Sequence, residues 1–165
     1  MPNGCFKIEH KLSDSISDDG IDKINFLFSS NKNEPQSLAK IASGGEKSRL
    51  MLALKSLISS GKSLPTIIFD EIDTGISGGI ASKMAKIMNR MGSNMQVISI
   101  THLPQIAAAG MHHYKVYKTD DEHPSTQIKE LSNDERLNEI ASLLSSETIT
   151  DTALKHATEL MQDIE

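Results

Sequence analysis

The stretch Thr66-Ile67-Ile68-Phe69-Asp70-Glu71-Ile72-Asp73-Thr74-Gly75 limits what this chain can fold into more than any other. Four residues suited to a buried strand follow Pro65 and run directly into two adjacent carboxylates, the pattern of a central strand in a parallel sheet. The acids then stand at its carboxyl end, where open α/β sheets bind ligands. Successive side chains on a strand alternate in direction, so Asp70 and Glu71 face different parts of one ligand. One can hold a metal while the other handles water. Taken alone, an apolar run before Asp-Glu is equally an ordinary acidic turn, and its neighbours decide between the two.

Downstream, Gly78-Gly79 lead into a helix with a stripe at Ile80, Met84, Ile87, Met88 and Met91 that stops at Gly92. The methionines read as core packing rather than a cofactor box, because Met fills irregular gaps. Ser93-Asn94 turn the chain into a second buried strand, Gln96 to Ile100, which ends in Thr101-His102. Strand, crossover helix and strand form a βαβ unit that puts Asp70, Glu71 and His102 at one edge of a sheet. His10, His112, His113, His123 and His156 read as solvated or structural; His102 differs from them by position.

Upstream, Ile41-Ala42-Ser43-Gly44-Gly45-Glu46-Lys47-Ser48-Arg49 opens a helix over about 43–60 with an apolar stripe at Leu50, Leu54, Leu57 and Ile58. Ser43 with Glu46 three residues on is a capping box, which explains a helix start but not the glycines. Two Gly in a first turn cost up to about 1 kcal/mol each relative to Ala. That loss is understandable if bare amides must approach an anion, and phosphate is the obvious one. Gly61-Lys62-Ser63 imitates the end of a phosphate-binding loop, but Ser56 stands where the motif needs its first Gly, and the context runs from helix to strand. It reads as a helix stop.

The flanks carry less chemistry. Cys5 to Leu12 and Ile24 to Phe28 read as a β-hairpin with a long polar connection, Ser13 to Gly20. Pro104 opens a short helix from Gln105 to Gly110. Tyr114 to Lys118 and Thr126 to Leu131 read as strands around an acidic loop at Asp120 to Glu122. Two helices close the chain over about 132–164: one with a Ser132/Glu135 capping box and a stripe at Leu137, Ile140, Ala141 and Leu144, the other with Ala153, Ala157, Leu160, Met161 and Ile164.

With 165 residues the chain is one domain's worth, long enough for a real core. A single Cys5 excludes an internal disulfide and a cysteine-based zinc site and points to a reducing cytoplasm. The opening lacks the basic and apolar regions of a secretory signal, and no apolar run nears the ~20 residues of a membrane helix. Neither export nor membrane insertion is expected. A net charge of −5 argues against a basic nucleic-acid stripe on this piece.

The ordered trio of Ser43-Gly44-Gly45-Glu46 opening a helix, an apolar strand into Asp70-Glu71, and a strand into His102 resembles the signature, Walker B and switch-histidine motifs of ABC-type ATPases. Ser-Gly-Gly-Glu-Lys-Ser-Arg and Asp-Glu-Ile-Asp are similar to the SMC-related DNA-repair branch, closest to the RecN family. Ile41 to Leu54, Phe69 to Gly78 and Thr101 to Gly110 carry the likeness, which spans nearly the whole chain. The implied fold is an α/β, P-loop NTPase or ABC-head-like carboxyl-terminal lobe: a mainly parallel sheet flanked by helices, incomplete without its amino-terminal lobe. The implied elements are the signature helix, a Walker B strand over about 66–71, a switch-histidine strand over about 96–102 and the two terminal helices.

That resemblance also implies roles. Asp70 would hold Mg²⁺ through its water shell, Glu71 would polarise the attacking water, and His102 would contact the γ-phosphate. Ser43, Gly44, Gly45 and Glu46 would bind ATP held by a second head, and Asp73 and Ser77 would lie in a loop contacting that head. Ser77 stands where the superfamily usually has Asp. No Walker A loop is found, so the chain is expected to be a carboxyl-terminal half-head, inactive alone. Its expected partners are an amino-terminal lobe carrying Walker A and a coiled coil, a second head, and DNA through the full-length protein. The expected setting is double-strand-break repair in the cytoplasm, at the nucleoid. The competing readings are a nucleotide-independent interaction module and, further off, a transporter ATPase subunit.

Overall fold

The computed structural model describes residues 3–40, 44–61, 64–76, 78–119, 124–145 and 148–163. The chain divides into two compact units, Met1–Met51 and Leu52–Glu165.

In the first unit, β1 (Cys5–Ser17) and β2 (Gly20–Ser29) pair antiparallel, and β3 (Gln36–Ser37) adds to β2. The hairpin forms as the alternation demands, but its connection is not long. Asp18 and Asp19 alone separate the strands, and Gly20 takes the left-handed conformation that closes so tight a turn. The polar run from Ser13 to Ser17 extends β1 because backbone pairing does not require apolar side chains on an exposed ribbon. The extra residues are absorbed as an irregularity between Leu12 and Ser17. Phe6 and Phe26 stack at 6.0 Å between ring centroids on an exposed face of the ribbon.

Helix α1 (Gly44–Gly61) runs through the boundary between the units. Of the expected stripe Leu50 is buried, whereas Leu57 is 71% exposed and Ile58 is also exposed; Leu52, off the stripe, is buried as well. Two positions apart on a helix, Leu50 and Leu52 do not share a face, so a single apolar stripe could not have picked out both.

The second unit is built on a βαβ unit, β4 (Thr66–Asp70), α2 (Gly78–Gly92) and β5 (Gln96–Ile100), with β4 and β5 parallel in the register Thr66↔Gln96 to Asp70↔Ile100. Leu52, Phe69, Ala81, Met84, Ala85, Met88, Met91 and Ile106 form its core. The methionine stripe packs inward as expected; Ile87 falls outside it. Phe69 faces this core, while Ile68, Ile98 and Ile100 stand exposed on the opposite face. Parallel pairing is confined, among the described residues, to β4–β5. The crossover through α2 gives β4 and β5 the parallel pairing expected of this lobe, whereas the tight turn of the first unit's ribbon makes β1 and β2 antiparallel.

Helix α3 (Pro104–Ala109) follows β5, and β6 (Tyr114–Lys118) pairs antiparallel with β7 (Thr126–Glu130). The acidic loop between them lies outside the described residues. Ser132 and Glu135 form the reciprocal capping box that starts α4 (Asn133–Leu144), and the Thr150 hydroxyl caps α5 (Asp151–Gln162). Ala108, Ile140, Ala141, Ala153 and Ala157 pack together, with Leu137, Leu144, Leu160 and Met161 around them; Ile164 lies outside the described residues. Arg136 of α4 donates to the carbonyls of Ala108 at 2.6 Å, Gly110, and Met111 at 3.4 Å, covering the exposed acceptors where α3 ends. Among the described residues no helix is long and apolar enough to cross a membrane.

Candidate functional site

The carboxyl end of the β4–β5 pair gathers the acids and the histidine. Asp70 lies opposite Ile100 in the register and is exposed on the open face. Glu71, next in the chain, keeps the ladder through its N–H, which donates to the Ile100 carbonyl at 3.1 Å. Its φ of 45° places it in the left-handed region that non-glycine residues rarely occupy. The carbonyl of Glu71 accepts from the Thr74 N–H at 3.3 Å and the Thr74 hydroxyl at 2.9 Å, closing a turn that continues through a left-handed Gly75. The side chain of Glu71 is left exposed at the sheet end.

Asp73, in the loop that follows Glu71, is 1% exposed and accepts a hydrogen bond from the Thr101 hydroxyl. The physical reason is the reversal at Glu71, which turns the chain back under the end of β5. His102, one residue past Thr101, is exposed, with Nδ1 3.9 Å from Asp73 Oδ2. Thr101 was therefore the residue that motif spacing missed, together with the buried link it makes to Asp73. The available signal was positional, since one stands immediately before His102 and the other two residues after Glu71.

In the first unit, Gly44, Gly45 and Glu46 form the first turn of α1; Ser43 lies outside the described residues, as does Ser77. A Cβ at Gly44 would meet nothing within 4 Å, so space for a ligand at its backbone is open. Glu46 accepts from the hydroxyl of Ser30 just past β2, which holds this carboxylate locally.

The donor chemistry at the sheet end suits one hard cation. Mg²⁺ is commonly held by one or two carboxylates, with phosphate and water completing its shell. Among the described residues no three His, Cys, Asp or Glu gather around a common point. An ion at Asp70 would therefore depend on phosphate and water for its other ligands.

No protein-family model matches the chain. The DNA repair protein RecN of Bacillus subtilis (strain 168) is 44% identical over 149 residues, covering 89% of this chain and 26% of that protein. RecN of Haemophilus influenzae is 43% identical over 164 residues, 98% of this chain and 29% of that protein. The chain matches the carboxyl-terminal part of RecN proteins. It thus spans less than a third of the RecN lengths it matches. Among solved structures, the Smc head domain with a coiled coil and joint from Pyrococcus yayanosii superposes with a TM-score of 0.67 at 20% identity, over 87% of this chain and 26% of that one. A chain from a study of ATP-driven dimerization and DNA-stimulated activation of SMC ATPases gives 0.62 at 18% identity, over 87% and 84%. The fold is that of an SMC-type ATPase head in part, and the RecN likeness and the head fold meet on the same residues.

Proposed function

We propose that this chain is the carboxyl-terminal part of an ATP-hydrolysing head of a RecN-type DNA repair protein, acting in double-strand-break repair. The observation that carries this reading is the convergence of Asp70, a left-handed Glu71 and His102 at the carboxyl end of one parallel strand pair. Phosphoryl transfer to water needs positioning and charge stabilisation more than covalent help from the protein, and these groups supply both. Asp70 would hold Mg²⁺. Glu71 orients and polarises the attacking water, and His102 contacts the γ-phosphate. Ser43, Gly44, Gly45 and Glu46 meet the ATP of a second head, with the bare amides at the start of α1 facing its γ-phosphate. Ser77 lies in the loop that approaches that head. Mg²⁺, when bound, neutralises charge on the phosphate oxygens.

The exposed isoleucines on the open face of β4 and β5 support the reading that a further lobe covers this sheet. That lobe carries Walker A and leads into the coiled coil. DNA is engaged through the full-length protein rather than through this acidic segment, in the cytoplasm at the nucleoid. The chain alone leaves ATP unhydrolysed, because its sequence carries no Walker A pattern to cradle the β- and γ-phosphates. The test is ATP turnover by the chain alone, then mixed with a separately made amino-terminal part carrying Walker A. Activity confined to the mixture and abolished by Glu71→Gln supports the reading. Turnover by the chain alone, or by the Glu71→Gln mixture at the unsubstituted rate, overturns it. A folded mixture that never hydrolyses ATP favours an interaction module.

A further inference from the structure

A buried carboxylate is costly to keep unless its surroundings compensate it, and Asp73 is compensated on one side only. Its Oδ2 accepts from the Thr101 hydroxyl, with His102 Nδ1 3.9 Å away, while its Oδ1 is buried with no hydrogen-bond partner among the described residues. An apolar residue of similar size would fill this space without that cost. Packing therefore does not explain an acid here; its connections do. Thr101 Oγ1 also accepts from the Leu103 N–H at 3.0 Å, so the hydroxyl grips the chain on both sides of His102. Asp73 itself sits inside the turn that presents Glu71, and its carbonyl accepts from the Ile76 N–H at 3.2 Å. One buried side chain thus joins the two backbone segments that carry Glu71 and His102.

We propose that Asp73 is a positioning residue that fixes the Glu71 turn against the His102 segment through the Thr101 hydroxyl, setting the two groups in mutual register for hydrolysis. This inference rests on the ATPase reading given above, and a 1 Å displacement of such a pair is enough to slow chemistry by about a hundredfold.

The test compares Asp73→Ala, Thr101→Val and Thr101→Ser in the chain assembled with its Walker A-bearing part, with Glu71→Gln as control. Expected are losses in kcat of about tenfold or more for Asp73→Ala and Thr101→Val, KM for ATP within about threefold, and a double variant no worse than the worse single one. Thr101→Ser, which keeps the hydroxyl, stays within about twofold of the unsubstituted rate. A Thr101→Val rate equal to that of Thr101→Ser, or losses that merely follow the folded fraction, overturns the proposal. If instead Glu71→Gln retains full turnover, or the assembly never hydrolyses ATP, the ATPase reading is what fails. The linkage is then judged by the NMR amide shifts of Thr74 and His102 in this chain. Both move in Asp73→Ala and Thr101→Val but hold in Thr101→Ser; a His102 amide indifferent to Asp73→Ala overturns the linkage by itself.

Discussion

The Glu71 N–H donates to the Ile100 carbonyl at 3.1 Å while Glu71 itself sits at a φ of 45°. The residue thus completes the parallel ladder and reverses the chain at the same point. A side chain in the left-handed region costs about 1 kcal/mol or more, and such strain persists where something else requires the residue.

Glu71→Gly should therefore stabilise the fold by about 1 kcal/mol, less the entropy that glycine adds to the unfolded chain. The same substitution should abolish turnover in the assembled head. Urea unfolding beside an ATPase assay checks both halves, and a destabilised glycine variant would show that the turn is unstrained.

The capping box at α4 gives a pH dependence with a definite sign. Glu135 is held at about 2 by the hydrogen bond from Lys129 and then by the Ser132 backbone N–H, below an ordinary glutamate at about 4.3. A depressed carboxylate contributes stability above its unfolded value and loses it as pH falls through its folded one. The contribution should thus be complete above about pH 4.3 and fade toward pH 2. Thermal melts across this range should fall less steeply for Glu135→Gln than for the unsubstituted chain. Parallel curves would remove Glu135 from the acid response.

How much of this was legible in the sequence depended on whether a signal was local or tertiary. The Met84/Met88/Met91 stripe and the Ser132/Glu135 box follow from spacing within one element, the βαβ unit from three consecutive ones, and all three form. Burial on α1 was legible at Leu50 but not at Leu52, which lies off the stripe, and only packing decides which leucine is covered. The extent of β1 was missed because a solvent-facing ribbon can be polar throughout. Asp73 read as loop chemistry because an acid after Glu71-Ile72 looks solvated until the reversal at Glu71 is known. Its partner Thr101 lies 28 residues away, beyond any local pattern.

Arg136 supports the far end of the helix that begins just after His102. Its fork reaches the carbonyls of Ala108, Gly110 and Met111, and burial lowers its pKa from the ordinary arginine range. Arg136→Ala should cost roughly 2 kcal/mol, because three carbonyls at the end of α3, two of the contacts part-buried, lose a charged donor. Arg136→Lys should recover only part of this, since an ammonium cannot reproduce the planar fork. Equal stability of the lysine variant and the unsubstituted chain in denaturant unfolding would show that charge alone suffices.

The open face of β4 and β5 separates stability from assembly. Ile100, 53% exposed, stands with Ile68 and Ile98 on the side away from Phe69 and the α2 methionines. Removing an exposed methylene group leaves no cavity, so Ile98→Ser should change the stability of the chain alone by no more than about 0.5 kcal/mol. If the Walker A-bearing lobe covers this face, the same substitution removes apolar area from the contact, at about 25 cal/mol per Å². Titration of the two parts by calorimetry should then show binding weakened about tenfold or more, an effect of roughly 1.4 kcal/mol. Ile87→Ser is the control, because Ile87 is an exposed isoleucine on α2, outside the buried methionine stripe. Equal affinity for the Ile98 and Ile87 variants would place the missing lobe on some other surface.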